Sequence, residues 1–245
     1  MRRALLLLVV LAGLVAACED KYKDPDPKAM GYDYYPLEEG DWRIYNVTDI
    51  RYMSNVGDTT RFQLRERVDT TFLDQTGALN YKIIRSVRDE EGDEWVDDSV
   101  MTVVKTELNV ILTKNNTKYV KLVFPIKEGK EWVGDAYNNN LAFDYAEKVR
   151  NGKELYSFSN IGVSYDLNGI SYPNTVEVIH GDYHSDDVNL DERKEVYAKD
   201  IGLIYRYHNV IVFCNQTESK DCVYGIGFKL HGHERHEELI SHGKE

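Results

Sequence analysis

The feature that most constrains the fold is an alternation of apolar and polar residues that recurs along most of the chain. Between Thr60 and Phe72, the residues Phe62, Leu64, Val68 and Phe72 itself share one face of an extended strand. Polar and charged residues take the other face, which is the pattern of a half-buried strand. A helix needs apolar residues at a period of about 3.6, and no long segment shows that period convincingly.

The same pattern continues and predicts about ten strands in total. An antiparallel sheet of that size must curl or close to bury one face. We therefore expect an all-β, mainly antiparallel fold: a single curled sheet, an open or closed barrel, with at most one short helix at Asn140–Val149. The other predicted strands are Trp42–Tyr52, Leu79–Val87, Glu94–Lys105, Leu108–Thr113, Tyr119–Phe124, Leu155–Phe158, Thr175–His180, Glu192–Tyr197 and Gly202–Phe213.

Residues 1–17 have the three zones of a secretory signal peptide. Arg2 and Arg3 form a positively charged start, and Leu5–Leu14 is apolar but too short to span a bilayer as a helix. The segment ends Leu14-Val15-Ala16-Ala17-Cys18, which resembles the bacterial lipobox. The resemblance implies that a diacylglycerol is attached to Cys18 before the signal peptide is cleaved. An ordinary signal peptide followed by a chance cysteine is the alternative.

Residues 18–31 are predicted to be a flexible tether. Glu19–Lys28 is charged, contains two prolines, and has one large apolar side chain, Tyr22. Such a segment buries too little apolar surface to fold, and its prolines favour extended backbone. We expect it to lift a single β-rich domain, residues 32–245, off the membrane.

The net charge argues against two classes of partner. The mature chain keeps 28 of the 30 Lys and Arg residues and all 42 acidic ones, so its formal charge is 28 minus 42, or −14. We therefore expect no binding to nucleic acid and no electrostatic attachment to anionic lipid. Glu19 and Asp20, directly after the cysteine, loosely resemble the surface-export signals of Bacteroidota lipoproteins. The expected location is the outer membrane, at the cell surface or on the periplasmic face.

The other two cysteines, Cys214 and Cys222, flank a polar loop between two apolar runs. In an oxidising compartment we expect them to form a disulfide that closes a hairpin and contributes about 2–3 kcal/mol. Lipidation of Cys18 accounts for the odd third cysteine. Two reduced structural cysteines are the alternative.

Histidines near the C-terminus are weak candidates for a zinc or copper site. On a strand, His231 and His233 share a face and His236 lies on the other. On a helix, His233 and His236 converge with Glu237. Neither geometry brings all three histidines together, so we expect a polar final strand or tail with solvated histidines, and no cofactor.

A second histidine pair, His180 and His184, has three aspartates nearby. Such a group can serve acid–base chemistry or bind calcium. On an extended strand the two histidines lie about 13 Å apart, so they meet only if the chain turns at Gly181. A loop with solvated charges is the favoured interpretation.

The chain contains no nucleophile elbow and no phosphate-binding glycine loop. Its aromatic residues, such as Trp42, Tyr45, Trp95, Trp132 and Tyr137, would suit sugar stacking if they were exposed and coplanar. Core packing is the favoured role for these rings.

Three short stretches carry a resemblance to a known group. Tyr35–Trp42 and Phe124–Trp132 both read aromatic, proline, aliphatic, polar residues, glycine and then tryptophan. With Val196–Ile204 they resemble a group of uncharacterised Bacteroidota lipoproteins. The resemblance implies a β-rich extracytoplasmic domain and no particular activity.

These observations favour a non-enzymatic, lipid-anchored envelope protein that acts as a binding or accessory subunit of a membrane-associated assembly. Its expected partners are the membrane, through Cys18, and an envelope protein. One alternative is a carrier that holds an apolar ligand, such as a lipid, in the curled sheet. Another is a glycan-binding surface lipoprotein or a glycan-acting enzyme.

Overall fold

The computed structural model describes residues 26–138, 149–150, 153–181, 184–215, 222–224 and 227–245. A short α-helix, α1 (Pro27–Met30), and a 3-10 helix (Tyr32–Tyr34) precede the strands. The strands are β1 (Asp41–Met53), β2 (Val56–Leu73), β3 (Leu79–Arg88), β4 (Val96–Lys105), β5 (Asn109–Lys114), β6 (Thr117–Val123), β7 (Glu131–Val133), β8 (Val149–Arg150), β9 (Lys153–Leu167), β10 (Ile170–His180), β11 (His184–Ser185), β12 (Asn189–Ala198), β13 (Gly202–Phe213) and β14 (Lys229–Lys244).

The strands form one curled, nearly closed antiparallel sheet. Their order is β6-β5-β4-β3-β2-β1-β14-β13-β12-β10-β9-β7, and the short β8 and β11 pair with β9 and β12. The two edges approach each other: Val120 N donates to Gly134 O at 2.7 Å, and Trp132 Nε1 donates to Val120 O at 2.8 Å. A Cβ on Gly134 would lie 2.5 Å from the ring of Tyr156, so a glycine is needed at this junction. The predicted all-β, curled sheet is confirmed.

The barrel has two ends, which we call lower and upper. At the lower end β1 and β13 begin and β14 finishes, whereas at the upper end β5 and β10 finish. Residues 30–37 close the lower end. Tyr34 and Leu37 are buried there, and the ring of Tyr35 lies 5.9 Å from that of Tyr197.

The lower half of the barrel is filled by apolar side chains. On β4, for example, Met101 and Val103 are both buried, and Val103 lies nearer the lower end. The same alternation on the other strands builds a continuous core. Its members include Val68, Ile83, Val110, Leu122, Phe124, Phe158, Val176, Tyr197, Ile204 and Leu239.

Two expectations about the strands need correction. Phe72 does not continue the buried face of β2: the register shifts between Val68 and Thr70, and Phe72 is 44% exposed. Val223 and Tyr224, directly after Cys222, lie outside any strand, and β14, the strand that follows β13 and pairs with it, begins only at Lys229. The predicted disulfide between Cys214 and Cys222 is confirmed, and it lies in the connection between the paired strands β13 and β14.

The structure describes only part of the segments that the sequence predicts to lie outside the strands. The signal peptide and Cys18 lie outside the described residues, as does the helix expected at Asn140–Val149, apart from Val149, which begins β8. Within the predicted tether, α1 is ordered and Met30 packs against the core. In the part of the chain that is described, no helix is long and apolar enough to cross a membrane.

Candidate functional site

A chain of ion pairs crosses the inside of the barrel at mid-height. Glu195 accepts hydrogen bonds from Lys121 Nζ at 2.7 Å and from Arg206 Nε at 2.8 Å. Arg206 also donates to Glu237 at 2.5 Å. The other oxygen of Glu237 accepts a hydrogen bond from Arg235 Nε at 2.8 Å.

Two more links extend this chain toward β1, β2 and β3. Arg85 Nε donates to Glu66 at 3.2 Å, and its Nη2 lies 3.8 Å from Glu237. Arg235 donates to Asp49 at 2.7 Å. We call these eight residues the ionic network: Lys121, Arg206, Arg85, Arg235, Glu195, Glu237, Glu66 and Asp49.

Strand register brings the opposite charges together. Arg206 on β13 lies directly opposite Glu195 on β12 and Glu237 on β14, and Glu66 on β2 lies opposite Arg85 on β3. Directly opposite residues on one face of a sheet have side chains close enough to pair. The network therefore follows from the alternation of each strand once its inward face is known.

Burying an ion is unfavourable because the ion loses its hydration, so each ion of the network needs a partner of opposite charge. Glu195 and Glu237 are 1% and 2% exposed. Burial opposes ionisation of Glu195, but the charges of Lys121 and Arg206 outweigh it and hold its pKa well below the usual range. Burial also opposes ionisation of Glu237, but the charges of Arg206 and the other neighbouring arginines outweigh it and lower the pKa of Glu237 to about 2.

A cavity of about 340 Å³, open to solvent, lies against the network on its upper side. Its wall includes Lys114 and His180, the last residues of β5 and β10. Charged lining residues are Arg85, Lys114, Lys121, Arg206, Arg235, Glu66, Glu195 and Glu237. The apolar and aromatic part of the wall includes Met101, Leu112, Tyr119 and Tyr156.

Two histidines of the cavity are neutral at neutral pH. The ring of His180 stacks on Tyr156, with centroids 4.0 Å apart and an interplanar angle of 3°. Burial and then the charge of Lys121 lower the pKa of His180 to about 4. Burial and then the charge of Arg193 lower the pKa of His208 to about 3. Neutral imidazoles can donate or accept hydrogen bonds without adding charge.

Lys114 differs from every other cation of the wall. Among the described residues, its ammonium group has neither an ion-pair partner nor a hydrogen-bond partner. Burial and then the nearby charges of Arg85 and Arg206 lower its pKa to about 8. It therefore remains mostly protonated at pH 7.

A second ionic group lies beside the cavity and does not line it. Arg193 pairs with Asp191, through Nε at 2.6 Å, and with Glu154. Burial is the main cause of a raised pKa at Glu154.

The sheet separates His236 from the other two histidines proposed for a metal site. His233 Nε2 lies inside, 3.0 Å from Asp49, whereas His236 lies on the outer face with its Nδ1 3.0 Å from the hydroxyl of Tyr205. His231 is exposed. The described residues contain no group of three or more side chains placed to hold a metal ion. Of the two expected forms, a final strand or a tail, the structure shows a strand, β14. His233 lines the cavity, whereas the sequence predicts solvated histidines.

Two other expectations change with the structure. His180 belongs to the cavity wall and not to a loop with solvated charges, and the side chain of His184 is outside the described set. The aromatic residues do not form one platform. Trp132 and Tyr45 are buried, and Trp95 lies against the guanidinium groups of Arg65 and Arg88.

The residues of the candidate site that the sequence does not reveal are the inward-facing charges. Glu66 lies between Leu64 and Val68 on the buried face of β2, and this position in the sequence is the signal that could have revealed a buried charge. A charge on an apolar face usually has a partner. Lys114 offered no such signal, because it ends a strand next to a polar turn.

Comparisons with known proteins give few matches. No protein-family model matches the chain, and no curated protein matches it. Among solved structures, a proposed exported protein with a YmcC-like fold from Bacteroides fragilis is 12% identical, with a TM-score of 0.36; the match covers 88% of this chain and 100% of that one. A proposed lipoprotein from Parabacteroides distasonis is 10% identical, with a TM-score of 0.37; the match covers 86% and 98%.

Proposed function

We propose that this chain is a non-enzymatic, lipid-anchored envelope protein that binds a small polar ligand in the upper cavity of its barrel. The observation that carries the proposal is the charged lining of an open cavity of about 340 Å³. Pockets for small molecules typically measure about 300–1,000 Å³. An apolar ligand would strip water from these charges, which is unfavourable, so the lining argues against the carrier of an apolar lipid.

Binding is favoured over catalysis by the state of the carboxylates. Glu195 and Glu237 already accept hydrogen bonds from cations, and their lowered pKa values keep them ionised at neutral pH. A general acid must carry a proton at the working pH, and these two groups do not. Glycan hydrolysis by a pair of carboxylates is therefore disfavoured.

The position of residues 26–34 supports an orientation for the anchored protein. Tyr32 donates to the carbonyl of Glu107, in the β4–β5 turn at the lower end. Cys18 precedes Asp26, the first described residue, by 26 minus 18, or eight, residues. Eight extended residues span at most about 28 Å. A lipid on Cys18 at the outer membrane would hold the lower end toward the bilayer and the cavity away from it.

The test is gentle detergent purification of the full-length protein from its own membranes, with mass spectrometry of everything bound to it. We expect a small polar molecule in stoichiometric amount. Leu112→Trp fills the cavity and should abolish its recovery, as should the milder Met101→Phe. Leu108→Trp, at a position 71% exposed in the β4–β5 turn, is the matched control and should retain it.

The other outcomes are distinct. A stoichiometric protein partner without a small molecule would make the chain an accessory subunit. Recovery of a lipid that disappears with Leu112→Trp would establish an apolar carrier. Circular dichroism of each variant shows that lost recovery reflects the filled cavity and not unfolding.

A further inference from the structure

We infer that the ligand of the upper cavity is a small organic anion whose carboxylate or phosphate group pairs with the ammonium group of Lys114. This inference rests on the proposed function. It follows from the charge balance of the cavity wall, the isolation of Lys114 and the character of the surfaces around it.

The ionic network needs no ligand to neutralise it. Its four cations (Lys121, Arg206, Arg85, Arg235) and four carboxylates (Glu195, Glu237, Glu66, Asp49) sum to zero, and each of the eight is paired within the network. Lys114 lines the same cavity without a partner among the described residues. One negative charge beside Lys114 would complete the pairing of the wall.

The surroundings of Lys114 make an anion more favourable there than at an exposed lysine. Arg85 and Arg206 repel its ammonium group, while Glu237 and Glu66 attract it less strongly. Burial weakens its hydration further, which is the main cause of its lowered pKa. Hydrogen bonds between charged groups are stronger where water is partly excluded.

The remaining wall indicates what carries the anion. Met101, Leu112, Tyr119 and Tyr156 present apolar and aromatic surface to the same cavity. The buried Nε2 of His180 lies 3.5 Å from Glu195. A flat or compact apolar body with one anionic group would fit both parts of the wall.

The test compares three probes of similar size and shape: benzoate, phenyl phosphate and neutral benzamide. Their affinities for the full-length protein in non-ionic detergent are measured at pH 7 by saturation-transfer difference NMR. We expect at least one anion to bind about tenfold or more tightly than benzamide. Which anion binds better distinguishes a carboxylate ligand from a phosphate ligand.

Lys114→Met should weaken binding of that anion about tenfold and leave benzamide unchanged, whereas Lys114→Arg should retain anion binding. Lys118→Met, at an exposed position on β6, is the matched control and should behave as wild type. The inference fails if benzamide binds as tightly as the anions, if Lys114→Met has no effect, or if neither anion binds at about 10 mM. Recovery of a small uncharged molecule in the purification above would then leave the proposed function standing without this inference.

Discussion

The two halves of the barrel are built from the same strands but differ in what those strands bury. In the lower half, β5 contributes Val110 to an apolar core that residues 30–37 close. In the upper half, the same strand ends in Lys114 on the wall of a charged cavity. Apolar burial stabilises a fold directly, whereas a buried ionic network often contributes little net stability. The difference fits the proposal that the lower half supplies stability and the upper half holds the ligand.

The largest effect is expected where a network ion loses its charge. Glu237→Gln leaves Arg206 and Arg235 facing each other without a carboxylate between them, and should lower the free energy of unfolding by about 3–5 kcal/mol. Urea unfolding of the full-length protein measures it. Glu238→Gln, the neighbour on the other face, is the control and should change stability by less than about 0.5 kcal/mol. Equal effects at the two positions would mean that the network is not an integrated unit.

Replacing a large side chain of the lower core by a small one should lower the free energy of unfolding nearly as much, but should leave ligand binding in the cavity unchanged. Leu122 is fully buried. Leu122→Ala should reduce the free energy of unfolding by about 2–5 kcal/mol, through lost burial and the void left behind. Leu108→Ala, at an exposed position, serves as control. If Leu122→Ala abolished ligand recovery while the protein remained folded, the separation between the two halves would be wrong.

The upper half should also make the fold sensitive to mild acid. His180 and His208 have folded pKa values of about 4 and 3, below the ordinary value of 6.5. Between those values and 6.5 the unfolded chain binds more protons, so stability falls as the pH drops below about 6.5. Each histidine should contribute about 1–2 kcal/mol of this loss by about pH 5.

Thermal melting between pH 7 and pH 5 measures that slope. His180→Gln should flatten it, whereas His231→Gln, at an exposed position, should not. A slope that both variants share with wild type would show that His180 is not buried in its neutral form.

The smallest expected effect has the opposite sign. Because the folded pKa of Lys114 lies near 8 and the ordinary value is 10.5, the unfolded chain binds more protons between these values. Stability should therefore rise as the pH increases through that window. Lys114→Met should stabilise the ligand-free protein at pH 7 by about 0.5–1 kcal/mol, a small gain because the side chain is partly exposed and solvent screens its charge. This advantage should shrink toward pH 10.5. Loss of stability in this variant would mean that Lys114 serves the fold.

Much of the sheet was predictable because one face of most strands is apolar. β1 and β13 agree closely with the predicted segments Trp42–Tyr52 and Gly202–Phe213. β7 has three residues, too few to show a period, and β14 carries charged residues and histidines on both faces. Alternation cannot reveal a strand whose inward side chains are themselves charged.

The candidate site was less predictable for the same physical reason. In β12, Arg193 and Glu195 face the inside of the barrel. Lys194, between them, lies on the opposite face and pairs with Glu177 on β10. Sequence shows charge on both faces and does not tell which is buried. Only register with β13 and β14 identifies the partners, and register depends on contacts between residues far apart in the chain.

A crystal structure of the full-length protein purified from its own membranes would show directly whether the upper cavity holds an anion. We expect non-protein density in the upper cavity, with an anionic group about 3 Å from Lys114 Nζ and the ionic network intact beside it. A cavity that holds only ordered water, with Lys114 paired to a side chain of the protein itself, would contradict this expectation.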